Sequence, residues 1–274
     1  MSKKVWITGA SSGLGLHTAN ALREAGFTVV AGARSYSQPE KRLDEMCLPL
    51  DVTSEESMQA FAEEALRLTG APDAVIHCAG VLNLGACETY TDGEIRQVME
   101  TNFFGLTRLL RHTLPLMREK GKGKVVAFSS VNGLLGIPWE GAYTASKHAI
   151  EGYLECLRME VGPFGIEVMV VEPGDHRSGS HVYRRHGLHM TEENPYHAAW
   201  QRGISVIAHD EENGSCPERL GKKVAKALQK KHLPAKLCIA KWDQHLAVVL
   251  HDVLPVKIFS RFISMYYKQK KSTK

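Results

Sequence analysis

Apolar positions along the chain fall into short continuous runs that alternate with longer segments of helical spacing. Residues 4–8, Lys-Val-Trp-Ile-Thr, and 27–33, Phe-Thr-Val-Val-Ala-Gly-Ala, are runs bounded by glycine turns, which predicts buried strands. A helical segment over residues 17–25 lies between them and stops at Gly26. Further strands are predicted at residues 47–51, 74–80, 124–128 and 166–171. Helices are predicted at 54–69 with Ser54 as N-cap, at 92–120 with a bend around Gly105, and at 143–161. A basic helix over 217–231, a last short strand over 236–240 and an amphipathic stretch over 242–267, interrupted at Pro255, complete the pattern. Strands alternating with helices argue for parallel βαβ units, hence an α/β fold with a Rossmann-type doubly wound parallel sheet and a C-terminal helical extension. With 274 residues and no linker, charge run or internal repeat, a single domain over residues 1–274 is expected.

Composition narrows the picture. The net charge of +4 is mild, and no helix-turn-helix, zinc-finger or RNA-binding signature accompanies it, so nucleic acid is not expected as a partner. The six cysteines (Cys47, Cys78, Cys87, Cys156, Cys216 and Cys238) are scattered with no C-x-x-C pair. They suit a reducing cytosol better than a disulfide framework or a zinc site, and no metal is expected. Met-Ser-Lys-Lys leads directly into the first strand, leaving no room for a signal peptide, and no apolar stretch is long enough to span a bilayer. A cytoplasmic location follows as an expectation.

Candidate chemistry gathers at the strand ends. The first strand runs into Thr8-Gly-Ala-Ser-Ser-Gly-Leu-Gly15 and then a helix. A glycine-rich turn in that context lets the backbone approach a pyrophosphate and aims a helix N-terminus at it. Asp51, Ala79-Gly80, Ser130 and Pro173-Gly174 also fall at the carboxyl ends of strands, where such sheets bind ligands. Tyr143 and Lys147 lie four residues apart, on one face of a helix, downstream of Ser130. A free phenol has a pKa of about 10, and lowering it by about three units takes roughly 4 kcal/mol. One cation about 4 Å away, at an effective dielectric near 20, supplies about that much. Lys147 is therefore expected to make Tyr143 an acid/base able to work near neutral pH, with Ser130 hydrogen-bonding the oxygen of a bound carbonyl or alcohol.

With these motifs assembled, the chain resembles the short-chain dehydrogenase/reductase family over residues 4–240, in its hydroxysteroid and retinol dehydrogenase-like branch. The resemblance rests on the glycine turn, Asp51-Val52, Asn102 in Thr-Asn-Phe-Phe-Gly, Ser130, Tyr143, Lys147 and Pro173-Gly174, in the family's order. It implies Gly9, Ser11, Ser12, Gly13, Leu14, Gly15, Asp51, Val52, Ala79, Gly80, Pro173 and Gly174 as cofactor contacts. It also implies Tyr143 as proton donor or acceptor, Lys147 as the group that lowers its pKa and holds the nicotinamide ribose, and Ser130 as the group that orients the substrate oxygen. Asn102 would hold a water in a proton relay. The family often dimerises or tetramerises through the helices matching residues 92–120 and 143–161, so a homo-oligomer is expected.

Two departures stand out. The family's Asn-Asn-Ala-Gly is His77-Cys78-Ala79-Gly80, which leaves out the asparagine that ties neighbouring strands. Ser178 replaces a threonine and keeps a hydroxyl for the carboxamide. The second strand ends Gly32-Ala33-Arg34, without the acid that binds the 2′-OH of NAD; arginine there accommodates the 2′-phosphate, so NADP(H) is the expected cofactor.

Residues 175–216 show no strand pattern and are expected to form a substrate lid. Their basic and aromatic side chains include His176, His181, Tyr183, Arg184 and Arg185. Arg184 and Arg185 either meet an anionic substrate end or, as favoured, face water on a solvated lid helix. The extension over 242–267 is expected to pack on the core or wall an apolar cleft. Membrane contact, suggested by Lys268, Lys270, Lys271 and Lys274 after an apolar face, is set behind that reading. The expected activity is interconversion of a secondary alcohol and a ketone on a bulky apolar small molecule, a hydroxysteroid or bile-acid-like sterol first. The alternatives are a lipid-keto reductase such as one for acyl-dihydroxyacetone phosphate, or a non-catalytic NADP-binding regulator.

Overall fold

The structure is a computed structural model that describes residues 2–42, 45–179 and 184–268. His181, Tyr183, Lys270, Lys271 and Lys274 lie outside the described residues.

The apolar runs form strands β1 (Lys4–Thr8), β2 (Thr28–Ala33), β3 (Glu40–Arg42), β4 (Glu45–Pro49), β5 (Ala74–His77), β6 (Asn83–Leu84), β7 (Gly123–Phe128), β8 (Ile166–Pro173), β9 (Arg185–His186) and β10 (Lys236–Ile239). The helices are α1 (Gly13–Glu24), α2 (Glu55–Thr69), α3 (Asp92–Met99), α4 (Gly105–Glu119), α5 (Gly141–Val161), α6 (His197–Glu212), α7 (Pro217–Gln229), α8 (Trp242–Val253) and α9 (Val256–Tyr266). Eight strands build one sheet in the order β10-β8-β7-β5-β1-β2-β4-β3, and every pairing is parallel except β3 with β4. The order reverses on either side of β1 and β5, which opens a crevice at their carboxyl ends.

Both faces of the sheet are covered, which is why its strands read as unbroken apolar runs. Leu22 of α1 and Leu220 and Val224 of α7 pack with Val5, Ile7 and Ile76 on one face. Met58 and Phe61 of α2, Leu109 of α4 and Leu154 of α5 pack with Trp6, Val30 and Val125 on the other. Trp6 meets Phe61 edge-on at 6.2 Å between ring centroids. Such a pair adds about 0.5–1.5 kcal/mol beyond area burial. A smaller cluster of Leu84, Leu135, Val206, Ile207, Phe259, Ile263 and Tyr267 lies beyond the strand ends and joins α6 and α9 to the loops after β5 and β7.

Local signals explain the helix ends. The Ser54 hydroxyl accepts from the Ser57 amide at 3.1 Å and starts α2. Thr91 and Glu94 form a capping box that starts α3. The bend expected at Gly105 is a π-helical turn over Glu100–Phe104 that inserts between α3 and α4. α1 begins at Gly13, inside the glycine turn, earlier than the apolar spacing predicted. The expected lid does contain a strand: Arg185 and His186 pair in parallel with Asn83 and Leu84 outside it. Strands of two residues carry no alternation, so the sequence pattern is blind to them.

Candidate active site

The turns at the carboxyl ends of β1, β2, β5, β7 and β8 enclose a cleft of about 770 Å³. Every proposed cofactor and catalytic residue lines it except Asn102, which lies behind its wall.

One half of the cleft is backbone. Gly9 has a φ of +71°, and a Cβ there would stand 2.6 Å from the Ala79 backbone. A Cβ on Gly15 would stand 2.1 Å from the Gly9 carbonyl oxygen. These two glycines let β1, α1 and the Ala79-Gly80 turn close on one another. The N-cap Ser12 makes no side-chain cap to α1, so the first amides of that helix face the cleft without a cap. That is the geometry in which an anion such as a dinucleotide pyrophosphate is held, and the residues fit the group. Arg34 is exposed at the rim beyond buried Ala33, and Asp51 accepts from the Thr53 amide at 2.9 Å. The backbone of Ser178 lies against Gly13 across the opening.

The missing asparagine is replaced by a longer side chain. His77 is fully buried, its Nδ1 3.0 Å from the Thr8 hydroxyl on neighbouring β1 and its Nε2 3.2 Å from the Asn102 carbonyl oxygen. A carbonyl only accepts, so Nε2 carries the proton and Nδ1 accepts from Thr8. Burial, with Lys147 nearby, pushes the imidazole down to about 3 and keeps it neutral. The strands are thus tied after all, and the tie reaches the π-turn as well.

That turn aims the Asn102 side chain at the Val81 loop. Its Oδ1 accepts from the Val81 amide at 2.8 Å, and its Nδ2 donates to the Val81 carbonyl at 3.1 Å and to the Ser146 hydroxyl at 2.9 Å. Gly80 sits between this asparagine and Lys147.

Ser130 lies near the start of the loop after β7, as the N-cap of a short 3-10 turn over Val131–Gly133, and Tyr143 and Lys147 lie one turn apart on α5. The Ser130 hydroxyl donates to the Pro173 carbonyl at 3.4 Å and accepts from the Asn132 backbone amide at 3.2 Å, and it is near enough to the Tyr143 phenol to lower its pKa. Lys147 donates to the Phe128 carbonyl at 2.7 Å, and its Nζ stands 5.4 Å from the centre of the Tyr143 ring. The electrostatics differ from the sequence expectation. Burial, then the Glu140 carboxylate, pushes the Tyr143 phenol well above its ordinary range, and burial lowers Lys147 to about 8. Lys147 does not dominate the phenol because its ammonium is bonded to a backbone carbonyl and is itself desolvated. In this arrangement Tyr143 is a protonated phenol, suited to donating.

The other half of the cleft is charged, and sequence patterning missed most of it. Glu140, the residue before α5, is 6 % exposed and accepts from the Asn132 amide. Burial first, then Asp175, pushes it up to about 7. Burial and Asp210 push Asp175 up to about 6, while Gln244 of α8 donates to it at 2.5 Å. Arg184 pairs with Glu211 of α6, and its side chain is only 5 % exposed. The expectation that Arg184 faces water is therefore corrected, because β9 folds it under α6. Arg185 is exposed and donates to Gln97 at 2.7 Å. Glu140 stands three residues before Tyr143, the one sequence signal of its place. Nothing local marks Asp175 or Glu211.

The sequence profile of the short chain dehydrogenase family matches residues 3–187. The chain belongs to that family. A 3-ketodihydrosphingosine reductase of Bacteroides thetaiotaomicron is 34 % identical over 264 residues, covering 96 % of this chain and 97 % of the relative. Dehydrogenase/reductase SDR family member 7B of Xenopus tropicalis is 30 % identical over 283 residues, covering 97 % and 86 %. The crystal structure of a short-chain dehydrogenase from Streptomyces avermitilis superposes with a TM-score of 0.79 at 32 % identity, covering 97 % of each chain. This short-chain dehydrogenase is thus an oxidoreductase whose fold binds a nicotinamide cofactor and whose substrate is a small molecule.

Proposed function

We propose that this short-chain dehydrogenase reduces a ketone on a bulky lipid with NADPH. The convergence of Ser130, Tyr143 and Lys147 beside the glycine turn carries the reading. Tyr143 donates its phenolic proton to the carbonyl oxygen, and the Ser130 hydroxyl hydrogen-bonds the same oxygen as charge develops on it. Lys147 would hold the ribose and return a proton to Tyr143, drawn in turn from a water that Asn102 would hold. The glycine turn from Gly9 to Gly15, with Ser11, Ser12, Gly13 and Leu14, would hold the pyrophosphate, and Asp51 and Val52 the adenine. Ala79, Gly80, Pro173, Gly174 and Ser178 would border the nicotinamide, which supplies the hydride when bound. Arg34 would meet the 2′-phosphate of NADP(H).

For the substrate, the charged wall of Glu140, Asp175, Arg184 and Glu211 favours a lipid with a polar head near its ketone over a sterol nucleus. The relative named for 3-ketodihydrosphingosine points the same way. A ketosteroid is the second reading, supported by the apolar cluster of Leu84, Leu135 and Phe259 behind the loops. Exposed Tyr153 and Met159 on α5 support a homo-oligomer through that helix.

NADPH and NADH oxidation against 3-ketodihydrosphingosine, ketosteroids, keto bile acids and acyl-dihydroxyacetone phosphate tests the assignment. Turnover with NADPH that falls about 10³-fold in Tyr143→Phe is expected. A Tyr143→Phe protein that turned over like the wild type would overturn the catalytic assignment.

A further inference from the structure

Charge and exposed apolar surface coincide on one stretch of the chain. Residues 253–274 carry six cations, Lys257, Arg261, Lys268, Lys270, Lys271 and Lys274, and no carboxylate. The whole chain is +4, so everything before residue 253 sums to −2. Among the described residues eighteen large apolar side chains are exposed, and nine of them stand on α8 and α9.

α9 is apolar on two sides. Its inward side buries Phe259, Ile263 and Tyr267 against Leu84, Leu135 and Val206. A surface helix ordinarily turns polar groups outward. Here the outward side presents Ile258 at 56 % exposure, Phe262 at 50 % and Met265 at 69 %, with Lys257 and Arg261 beside them. Trp242 and Val253 of α8 extend the same exposed apolar character. Pro255 separates α8, of twelve residues, from α9, of eleven. Neither is long enough to cross a bilayer, which takes about 20 residues. On α9 an apolar face with flanking cations and no acid is the composition of a helix that lies in a membrane interface, while α8, which carries Asp243 and Asp252, adds apolar area beside it. A second copy of this chain fits less well. A two-fold contact through α9 would set Lys257 and Arg261 of one copy against those of the other, with no carboxylate on the helix itself to relieve them.

We propose that α8 and α9 form a docking surface for an anionic lipid bilayer, with Ile258, Phe262 and Met265 entering the acyl boundary and Lys257, Arg261 and Lys268 meeting the phosphates. The same helices adjoin the substrate half of the cleft. Leu82, which lines the cleft, packs on the cluster that buries α9, and Gln244 of α8 holds Asp175. On the lipid-ketone reading, docking sets the cleft beside the phase that holds its substrate. The docking itself does not depend on that reading.

The test is co-sedimentation of the full chain with vesicles of three parts phosphatidylcholine to one part phosphatidylglycerol, against pure phosphatidylcholine. Binding to the anionic vesicles is expected, roughly tenfold or more tighter than to the neutral ones and weakening as salt rises. Lys257→Glu/Arg261→Glu and, separately, Phe262→Ser should each cut the partition roughly tenfold, while the circular dichroism spectrum and turnover of a water-soluble ketone stay unchanged. No sedimentation with either vesicle, or binding that the charge-reversed variant retains in full, overturns the proposal. So does a concentration-dependent dimer that Phe262→Ser dissolves in a protein that ignores vesicles, because the face would then be a self-contact. Loss of ketone turnover alone would count against the enzymatic assignment and leave the docking result standing.

Discussion

The two halves of the cleft are built on different principles. The nucleotide half is made of main chain: a glycine turn, an uncapped helix N-terminus and the Ala79-Gly80 turn, drawn together at distances that admit no side chain at Gly9 or Gly15. The other half is made of side-chain charge from separate segments: Glu140 before α5, Asp175 after β8, Arg184 beside β9 and Glu211 in α6. A backbone cradle reads a ligand by shape and barely titrates. A charged wall reads it by polarity and changes with pH, because burial has moved Glu140 and Asp175 toward neutrality. A dinucleotide presents the same shape whatever the substrate, whereas the charged wall is free to vary with substrate chemistry.

Substitutions can break that contrast, and the largest effect should come from the cradle. Gly15→Ala puts a methyl group 2.1 Å from the Gly9 carbonyl oxygen. It should abolish measurable nucleotide binding in a fluorescence titration and cost roughly 2–4 kcal/mol in a denaturant melt. Near-normal nucleotide affinity would show that the cradle is softer than its geometry implies. Next comes Arg34→Ala, which should raise the KM for NADPH about 10–100-fold and leave that for NADH nearly unchanged, the size of one charge-assisted contact. An equal effect on both cofactors would assign Arg34 to the adenine and leave the 2′-phosphate without its partner.

The charged wall should show itself in pH dependence. Burial holds Glu140 at about 7 against an ordinary value of 4.5, so the folded protein keeps its proton more readily than the unfolded chain. Stability from this group is therefore full below about 4.5 and is lost as pH rises through about 7. Glu140→Gln should remove that downward slope, a change on the order of 1–3 kcal/mol between the ends of the window, read as the melting temperature of variant against wild type. Parallel pH profiles for the two proteins would mean that Glu140 is ionised in the fold.

The smallest effect should come from His77, which carries the opposite sign. Its folded value of about 3 lies below the ordinary 6.5, so its contribution is full above 6.5 and is lost as pH falls toward 3. His77→Asn restores the family residue but is too short to bond both Thr8 and the Asn102 carbonyl. It should cost about 1 kcal/mol at neutral pH, one hydrogen bond, and reduce the loss of stability in acid. An unchanged acid limb would show that other groups dominate there.

The same contrast governs what could be read in advance. The cradle was legible because each part is contiguous: a strand, a glycine turn and a helix start lie within Lys4–Thr8 and Gly13–Glu24. Tyr143 and Lys147 were legible because helical spacing alone puts them on one face. Their electrostatics were not, since the bond from Lys147 to the Phe128 carbonyl and the closeness of Glu140 depend on how α5 packs on β7. His77 showed only as a departure from a motif. That it reaches both β1 and the π-turn follows from three elements meeting at one buried ring. Arg184 looked like a surface charge because β9, a strand of two residues, leaves no periodic trace.

Period and turn chemistry along the chain therefore determined the layered α/β fold, the nucleotide turn and the Ser130, Tyr143 and Lys147 set, because each rests on neighbours within a few residues. Tertiary structure alone decided the charged half of the cleft, the upward shift of the Tyr143 phenol and the outward apolar face of α9. Those depend on burial and on charges brought from distant segments, and neither burial nor distance through space is a property of a local stretch of sequence.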